Sequence, residues 1–212
     1  MKVKLCGVRR AEDIEYLNEF LPDYAGFVFA DSPRRVTRDE AAALSRKLDG
    51  RIKRVGVFVN EPLESLLQTA KSVPLDVIQL HGDEGEGYLS ALHESTRLSV
   101  WKAVRVRSIE DIARAQALQV QALVLDSFQR DAYGGTGRVA NWKVIQNISI
   151  KKPYFLAGGL NAQNIEEAIE SLHPYGVDLS GGIETGGVKD REKIAAVMTR
   201  VMKYRSNQEK RG

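Results

Sequence analysis

The stretch R-V-G-V-F-V (54–59), N-E-P (60–62), L-E-S-L-L-Q-T-A-K (63–71) and, after a short connection, V-I-Q-L (77–80) reads as strand, helix start, helix and strand. The two outer pieces are short apolar runs rich in Val, Ile and Phe. The middle piece repeats its apolar residues at spacings of three and four, the period of an amphipathic helix. Asn60-Glu61-Pro62 supplies the start signal between them. Two strands joined through a helix must run parallel, because the crossover brings the chain back to the edge it left.

The same unit recurs along the chain. Strands are expected at Val3–Cys6, Ala25–Phe29, Arg54–Val59, Val77–Leu80, Ser99–Val104, Ala122–Asp126, Tyr154–Ala157 and Gly176–Ser180. Helices are expected between them at Ala11–Phe20, Arg38–Leu48, Leu63–Lys71, Glu86–His93, Ile109–Leu118, Ala162–Leu172 and Arg191–Met202. Thr37, Ser108 and Asn161 stand where N-caps belong. After the sixth strand comes a long Gly-rich loop, and Asn141-Trp142 is the best helix start that follows it. A doubly wound sheet of this length needs only five or six strands. Eight repeats in 212 residues favour an α/β fold of the closed kind, a single (β/α)8 TIM barrel. One barrel domain is expected over residues 1–204, with 205–212 a basic, frayed C-terminal tail.

Composition narrows the function. Hydrophobic residues make up 43% and charged residues 28%, the balance of a globular protein. A net charge of +3 is too even to suggest nucleic acid, and no apolar run approaches the ~20 residues of a membrane helix. The N-terminus has no apolar signal core, and a lone cysteine forms no internal disulfide, so a cytoplasmic setting is expected. His81, His93 and His173 lie far apart without ligand spacing, so no metal site is expected.

Barrel chemistry belongs at the C-terminal ends of the strands. Those ends carry Cys6-Gly7, Asp31-Ser32-Pro33-Arg34, Asn60, Gln79-Leu80-His81-Gly82, Arg105, Asp126-Ser127, Ala157-Gly158-Gly159 and Ser180-Gly181-Gly182. Glycine lets a backbone approach an anion, and the corner after strands seven and eight is a common phosphate site. The two glycine pairs there point to a phosphorylated ligand. Cys6 and Asp126 share the mouth as an acid–base pair or, more plainly, as a core thiol and a capping carboxylate. Tyr133-Gly-Gly-Thr-Gly137 lacks the Lys-Ser/Thr ending of a P-loop and reads as a connector or a lid. Strand alternation sets Lys4 on the face of Cys6 and Asp178 on the face of Ser180. Since strands one and eight adjoin in a barrel, a Lys4–Asp178 pair beneath the thiol is expected.

K-L-C-G (4–7), G-F-V-F (26–29), S-P-R (32–34), G-V-F-V-N (56–60) and V-I-Q-L-H-G-D-E (77–84) come in order, followed by L-D-S (125–127), Y-G-G-T-G (133–137), L-A-G-G-L-N (156–161), V-D-L-S-G-G-I-E (177–184) and V-K-D (188–190). In this order the chain resembles the phosphoribosylanthranilate isomerase family of tryptophan biosynthesis over nearly its full length. The resemblance implies a (β/α)8 barrel without metal or organic cofactor. It implies an Amadori rearrangement of N-(5-phosphoribosyl)anthranilate to 1-(2-carboxyphenylamino)-1-deoxyribulose 5-phosphate. It makes Asp126 the general acid, Cys6 the general base and Arg34 the partner of the anthranilate carboxylate, with Arg35 its competitor. It puts Gly158, Gly159, Ser180, Gly181 and Gly182 at the phosphate, His81 on the pocket wall and Asp178 among the substrate-binding residues. The expected partner is a small phosphorylated substrate, not nucleic acid or a membrane, and monomer and homodimer both occur in the family. Gly181 stands where the family commonly has a second serine, and Ala140 and Asn141 precede Trp142 where it usually has Phe. Two other readings compete. A related histidine-pathway isomerase would carry aspartate at the end of strand one, against Cys6. A catalytically silent barrel would have lost Cys6, Asp126 or Arg34.

Overall fold

The computed structural model describes residues 1–126 and 142–209. Eight parallel strands close on themselves in sequence order: β1 (Lys2–Cys6), β2 (Tyr24–Val28), β3 (Lys53–Phe58), β4 (Val77–Leu80), β5 (Ser99–Arg105), β6 (Ala122–Asp126), β7 (Tyr154–Ala157) and β8 (Gly176–Leu179). The ring shuts where β1 meets β8, with Val3 opposite Val177 and Lys4 opposite Asp178. Helices α1 (Ala11–Phe20), α2 (Arg38–Lys47), α3 (Leu63–Ser72), α4 (Glu86–Ser95), α5 (Ile109–Ala117), α6 (Trp142–Gln146), α7 (Ile165–Leu172) and α8 (Arg191–Glu209) cover it. This is the (β/α)8 barrel that the strand–helix–strand unit predicted.

The period of two along each strand divides the core in two. Val3 and Leu5 face outward against the helices, in a layer that includes Ile14, Leu17 and Ile194. Cys6, Val55, Val57, Val124 and Ala157 face inward. The inner layer is closed from below by three rings. Trp101 stacks on Phe155 at 4.6 Å between centroids, and Tyr24 meets both edge-on at 4.9 and 5.5 Å. The barrel is thus a filled core with one open end.

Capping follows the sequence signals in two helices. Thr37 accepts from the Glu40 N–H while the Glu40 carboxylate accepts from the Thr37 N–H, and Ser108 forms the same box with Asp111. At α7 the start differs from expectation. Asn161 is spent on a turn: its Oδ1 accepts from Gln163 N–H, and the Asn164 Oδ1 accepts from Asn161 N–H. The helix therefore opens at Ile165, three residues late, with Asn164 as N-cap. Asn141, expected to start α6, lies outside the described residues, as does the segment holding Tyr133–Gly137.

Two further features were not expected. After β8 the chain makes a 3-10 turn (Gly181–Ile183) and then a hairpin of two short strands, β9 (Glu184–Thr185) and β10 (Val188–Lys189). And α8 runs past residue 204, the expected end of the barrel domain, into the expected tail as far as Glu209. Arg205 holds this extension to the body, donating from Nε to the Met1 carbonyl at 2.8 Å and from Nη2 to Asp23. Among the described residues no helix is long and apolar enough to cross a membrane.

Candidate active site

The open end of the barrel holds a cavity of about 660 Å³. All ten residues singled out from the sequence line it: Cys6, Arg34, His81, Asp126, Gly158, Gly159, Asp178, Ser180, Gly181 and Gly182. Arg35, the competitor of Arg34, is exposed and does not line the cavity. His93 and His173 are also outside it. His93 bonds the Gln119 carbonyl at 2.7 Å, and His173 ends α7 in the left-handed conformation.

Cys6 ends β1 with only 9% of its surface exposed. Room for the thiol is made by Gly26 opposite it, where an added Cβ would come within 2.7 Å of Sγ. Directly below, Lys4 is fully buried and donates to Asp178 Oδ2 at 2.7 Å, so the expected pair forms. Burial works against the Lys4 ammonium, but the Asp178 carboxylate and then Cys6 outweigh it and hold Lys4 charged. Burial pushes the Cys6 thiol up, and Lys4 partly offsets this. The second Asp178 oxygen, Oδ1, is buried and accepts no hydrogen bond among the described residues. Asp178 itself is among the residues that line the cavity.

Asp126 ends β6 and faces His81 across the mouth, with His81 Nε2 at 3.9 Å from Oδ2. Burial lowers the His81 imidazolium, against the pull of Asp126, so the ring is neutral near pH 7. His81 is held by the β4 end, which rests on Glu84. That carboxylate accepts from Asn60 N–H at 2.8 Å, Gly82 N–H at 3.0 Å and Lys102 Nζ at 2.6 Å. Glu84 and Lys102 were not singled out from the sequence, although Glu84 ends the H-G-D-E stretch.

The two glycine pairs sit side by side at the corner after β7 and β8. Gly158 and Gly159 take φ of 94° and 69°, the left-handed region where a side chain is strained. Gly182 packs against the other loop: a Cβ there would lie 1.9 Å from the Leu160 carbonyl oxygen. Gly182→Ala must therefore push the loops apart. It is expected to cost about 1–3 kcal/mol of stability, as overpacking does. It should also weaken competitive inhibition by inorganic phosphate about tenfold, a loss on the scale of one charge-assisted hydrogen bond. Thermal unfolding and inhibition assays read both. At Gly181, by contrast, a Cβ would meet only Arg34 Nη2 at 3.5 Å, so a serine would fit there.

Arg34 leaves the β2 end through a turn in which its N–H donates to Ser32 Oγ at 3.1 Å. Its guanidinium donates from Nε and Nη2 to the two oxygens of Glu184, at 2.8 and 2.7 Å. Glu184 and its second partner Lys189 lie on the β9–β10 hairpin and were missed. The signal was present: Gly186-Gly187, between Glu184-Thr185 and Val188-Lys189, is the two-residue turn of a tight hairpin, and both glycines take positive φ.

The model of one protein family, N-(5'-phosphoribosyl)anthranilate isomerase, matches residues 3–200 of this chain. The chain belongs to the phosphoribosylanthranilate isomerase family. A curated family member from Thermoanaerobacter pseudethanolicus is 47% identical over 201 residues, covering 95% of this chain and 98% of its own. Two solved isomerases share the fold. Monomers of the dimeric phosphoribosylanthranilate isomerase from Thermotoga maritima align with a TM-score of 0.81 and 33% identity, over 94% of this chain and 97% of that one. A phosphoribosylanthranilate isomerase in complex with reduced 1-(o-carboxyphenylamino)-1-deoxyribulose 5-phosphate aligns with a TM-score of 0.77 and 32% identity, over the same shares. Isomerase family membership disposes of the silent barrel and of the histidine-pathway reading together.

Proposed function

We propose that Cys6 and Asp126 carry the first two proton transfers by which this chain performs the family's reaction. The reaction itself is the isomerisation of N-(5'-phosphoribosyl)anthranilate to 1-(2-carboxyphenylamino)-1-deoxyribulose 5-phosphate in tryptophan biosynthesis, an aldose–ketose rearrangement. Asp126 protonates the ribose ring oxygen, and the C1–O bond breaks to give an open-chain Schiff-base cation. The Cys6 thiolate then takes the C2 proton, leaving an enolamine. The C2 hydroxyl proton is lost as C1 gains one, giving the ketone, so substrate and product are isomers.

What carries this reading is that Cys6 and Asp126 line one cavity from different strands, with both glycine loops at one end of it. The loops give the phosphate its backbone N–H donors, which need no counter-charge of their own. Arg34 meets the anthranilate carboxylate, to which a planar guanidinium offers paired donors. Asp178, which lines the cavity, takes a ribose hydroxyl. His81, neutral, contributes a ring nitrogen to the wall beside Asp126 and adds no charge that competes with the acid.

Loss of substrate fluorescence on adding purified protein tests the reaction, and Arg34→Ala tests the binding arm. Removing Arg34 is expected to raise KM about tenfold to a hundredfold, the worth of one lost charge-assisted contact, with kcat within about threefold. A fall in kcat at constant KM would move Arg34 from binding to chemistry.

A further inference from the structure

Glu184 and Lys189 are buried ionisable groups that the proton transfers leave unused. The Glu184 side chain is 7% exposed and that of Lys189 only 1%. They stand opposite each other on the β9–β10 ladder, immediately after the 3-10 turn that carries Gly181 and Gly182. Glu184 Oε1 accepts from Lys189 Nζ at 2.7 Å as well as from Arg34 Nε, and the same Nζ lies 3.3 Å from the Ser180 carbonyl oxygen. An unbroken polar chain therefore runs from Ser180, at the phosphate corner, through Lys189 and Glu184 to Arg34.

Arg34 is pinned at both ends of its side chain. Its stem crosses the backbone next to the thiol, where a Cβ on Gly7 would come within 2.5 Å of Arg34 Cδ. Its head is gripped in a two-point fork. That grip occupies Nε and one hydrogen of Nη2, leaving Nη1 and the other Nη2 hydrogen for a ligand. Burial alone would raise the Glu184 carboxyl, but bonds from Arg34 and Lys189 outweigh it and take it down to about 2, so it is an anion throughout the working range. Two cations and one anion leave the cluster with a single positive charge.

We propose that Glu184, braced by Lys189, is a positioning residue that fixes Arg34 at a set distance from the phosphate loops, so that the site selects a ligand carrying anions at both ends. This rests on the reading of Arg34 as the carboxylate partner. Glu184 adds negative charge to a site for anions, so it opposes binding by charge alone. It favours binding only through geometry, and the two effects have opposite signs.

Glu184→Gln separates them: loss of the charge alone would lower KM, whereas the amide NH2 cannot accept from Arg34, so loss of the two-point grip would raise it. The expected result is a KM for phosphoribosylanthranilate raised about tenfold, kcat within about threefold, and inorganic phosphate inhibiting as well as before or better. Lys189→Met, which frees one side of Glu184, is expected to raise KM in the same direction with kcat retained, and decides the matter if the Gln variant does not fold. An unchanged KM in the folded variants would overturn the brace. So would equal weakening of substrate and phosphate by Glu184→Gln, which would make the residue a scaffold of the loop. Arg34→Ala run alongside distinguishes the failures. If it leaves KM unchanged, the reading of Arg34 fails; if it raises KM while Glu184→Gln does not, only the brace fails.

Discussion

Cys6→Ser is expected to lower kcat by about 10³-fold while KM stays within about threefold, measured by loss of substrate fluorescence under saturating conditions. The serine Oγ occupies nearly the place of Sγ, in the space that Gly26 leaves, so the cavity and its glycine loops are undisturbed. What changes is the proton affinity. A free thiol loses its proton near pH ~8.5, within reach of a buried ammonium, and an alcohol does not. Asp126→Asn should give a loss of the same order by removing the proton that opens the ribose ring. The pH dependence has a definite sign. Burial holds the Cys6 thiol above its ordinary value, so the thiolate fraction, and with it kcat/KM, rises with pH through neutrality and continues to rise past pH ~8.5. Cys6→Ser should remove that rise. A serine variant with near-native kcat would take the base role away from this residue.

That Cys6 was legible at all follows from strand geometry. A period of two, a barrel with one working end, and a single thiol at the last position of the first strand leave little freedom. The same parity placed Lys4 and Asp178 on neighbouring strands facing inward, and the side chains meet. The glycine pairs were legible as strand ends at the mouth, and they line the cavity. Arg34 was separated from Arg35 by the S-P-R register, and the turn at Ser32 that aims it inward is local.

Other features are set by contacts that sequence spacing does not encode. Glu184 and Lys189 act through a hairpin of two-residue strands, too short for periodicity to register, and only its Gly-Gly turn advertised it. Asn161 carries the composition of an N-cap, yet Asn164 competes with it and takes the position. Arg205 looked like part of a solvated basic run because its partners, the Met1 carbonyl and Asp23, are 204 and 182 residues away. Glu84 was hidden in a recognisable motif for a related reason: the N–H groups it gathers come from two different loops.

The second large effect is expected at Lys4. Lys4→Met is close in volume and apolar, so it should pack, but it strands the Asp178 carboxylate in the barrel without its cation. Breaking a buried pair from one side costs about 3–5 kcal/mol. In a chain of this length that lowers the melting midpoint by roughly 10 °C. Lys4→Met/Asp178→Asn removes the stranded charge as well and should recover most of that loss, since a pair deleted from both sides is often nearly neutral. Activity should not recover with it. Lys4 is also the cation that most offsets the burial holding the Cys6 thiol protonated, and without it the smaller pull of Lys189 is left. The rise of kcat/KM with pH should therefore move to higher pH in both variants, further in the single one, where the Asp178 carboxylate still opposes the thiolate, leaving both slow at neutrality. Urea unfolding reads the first effect and pH–rate profiles the second. If stability returns in the double variant and the pH profile never moved in either, Lys4 is a strut of the barrel and the thiol is tuned by other groups. If both shifts are seen, the pair that closes the ring between β1 and β8 also sets the base that works above it.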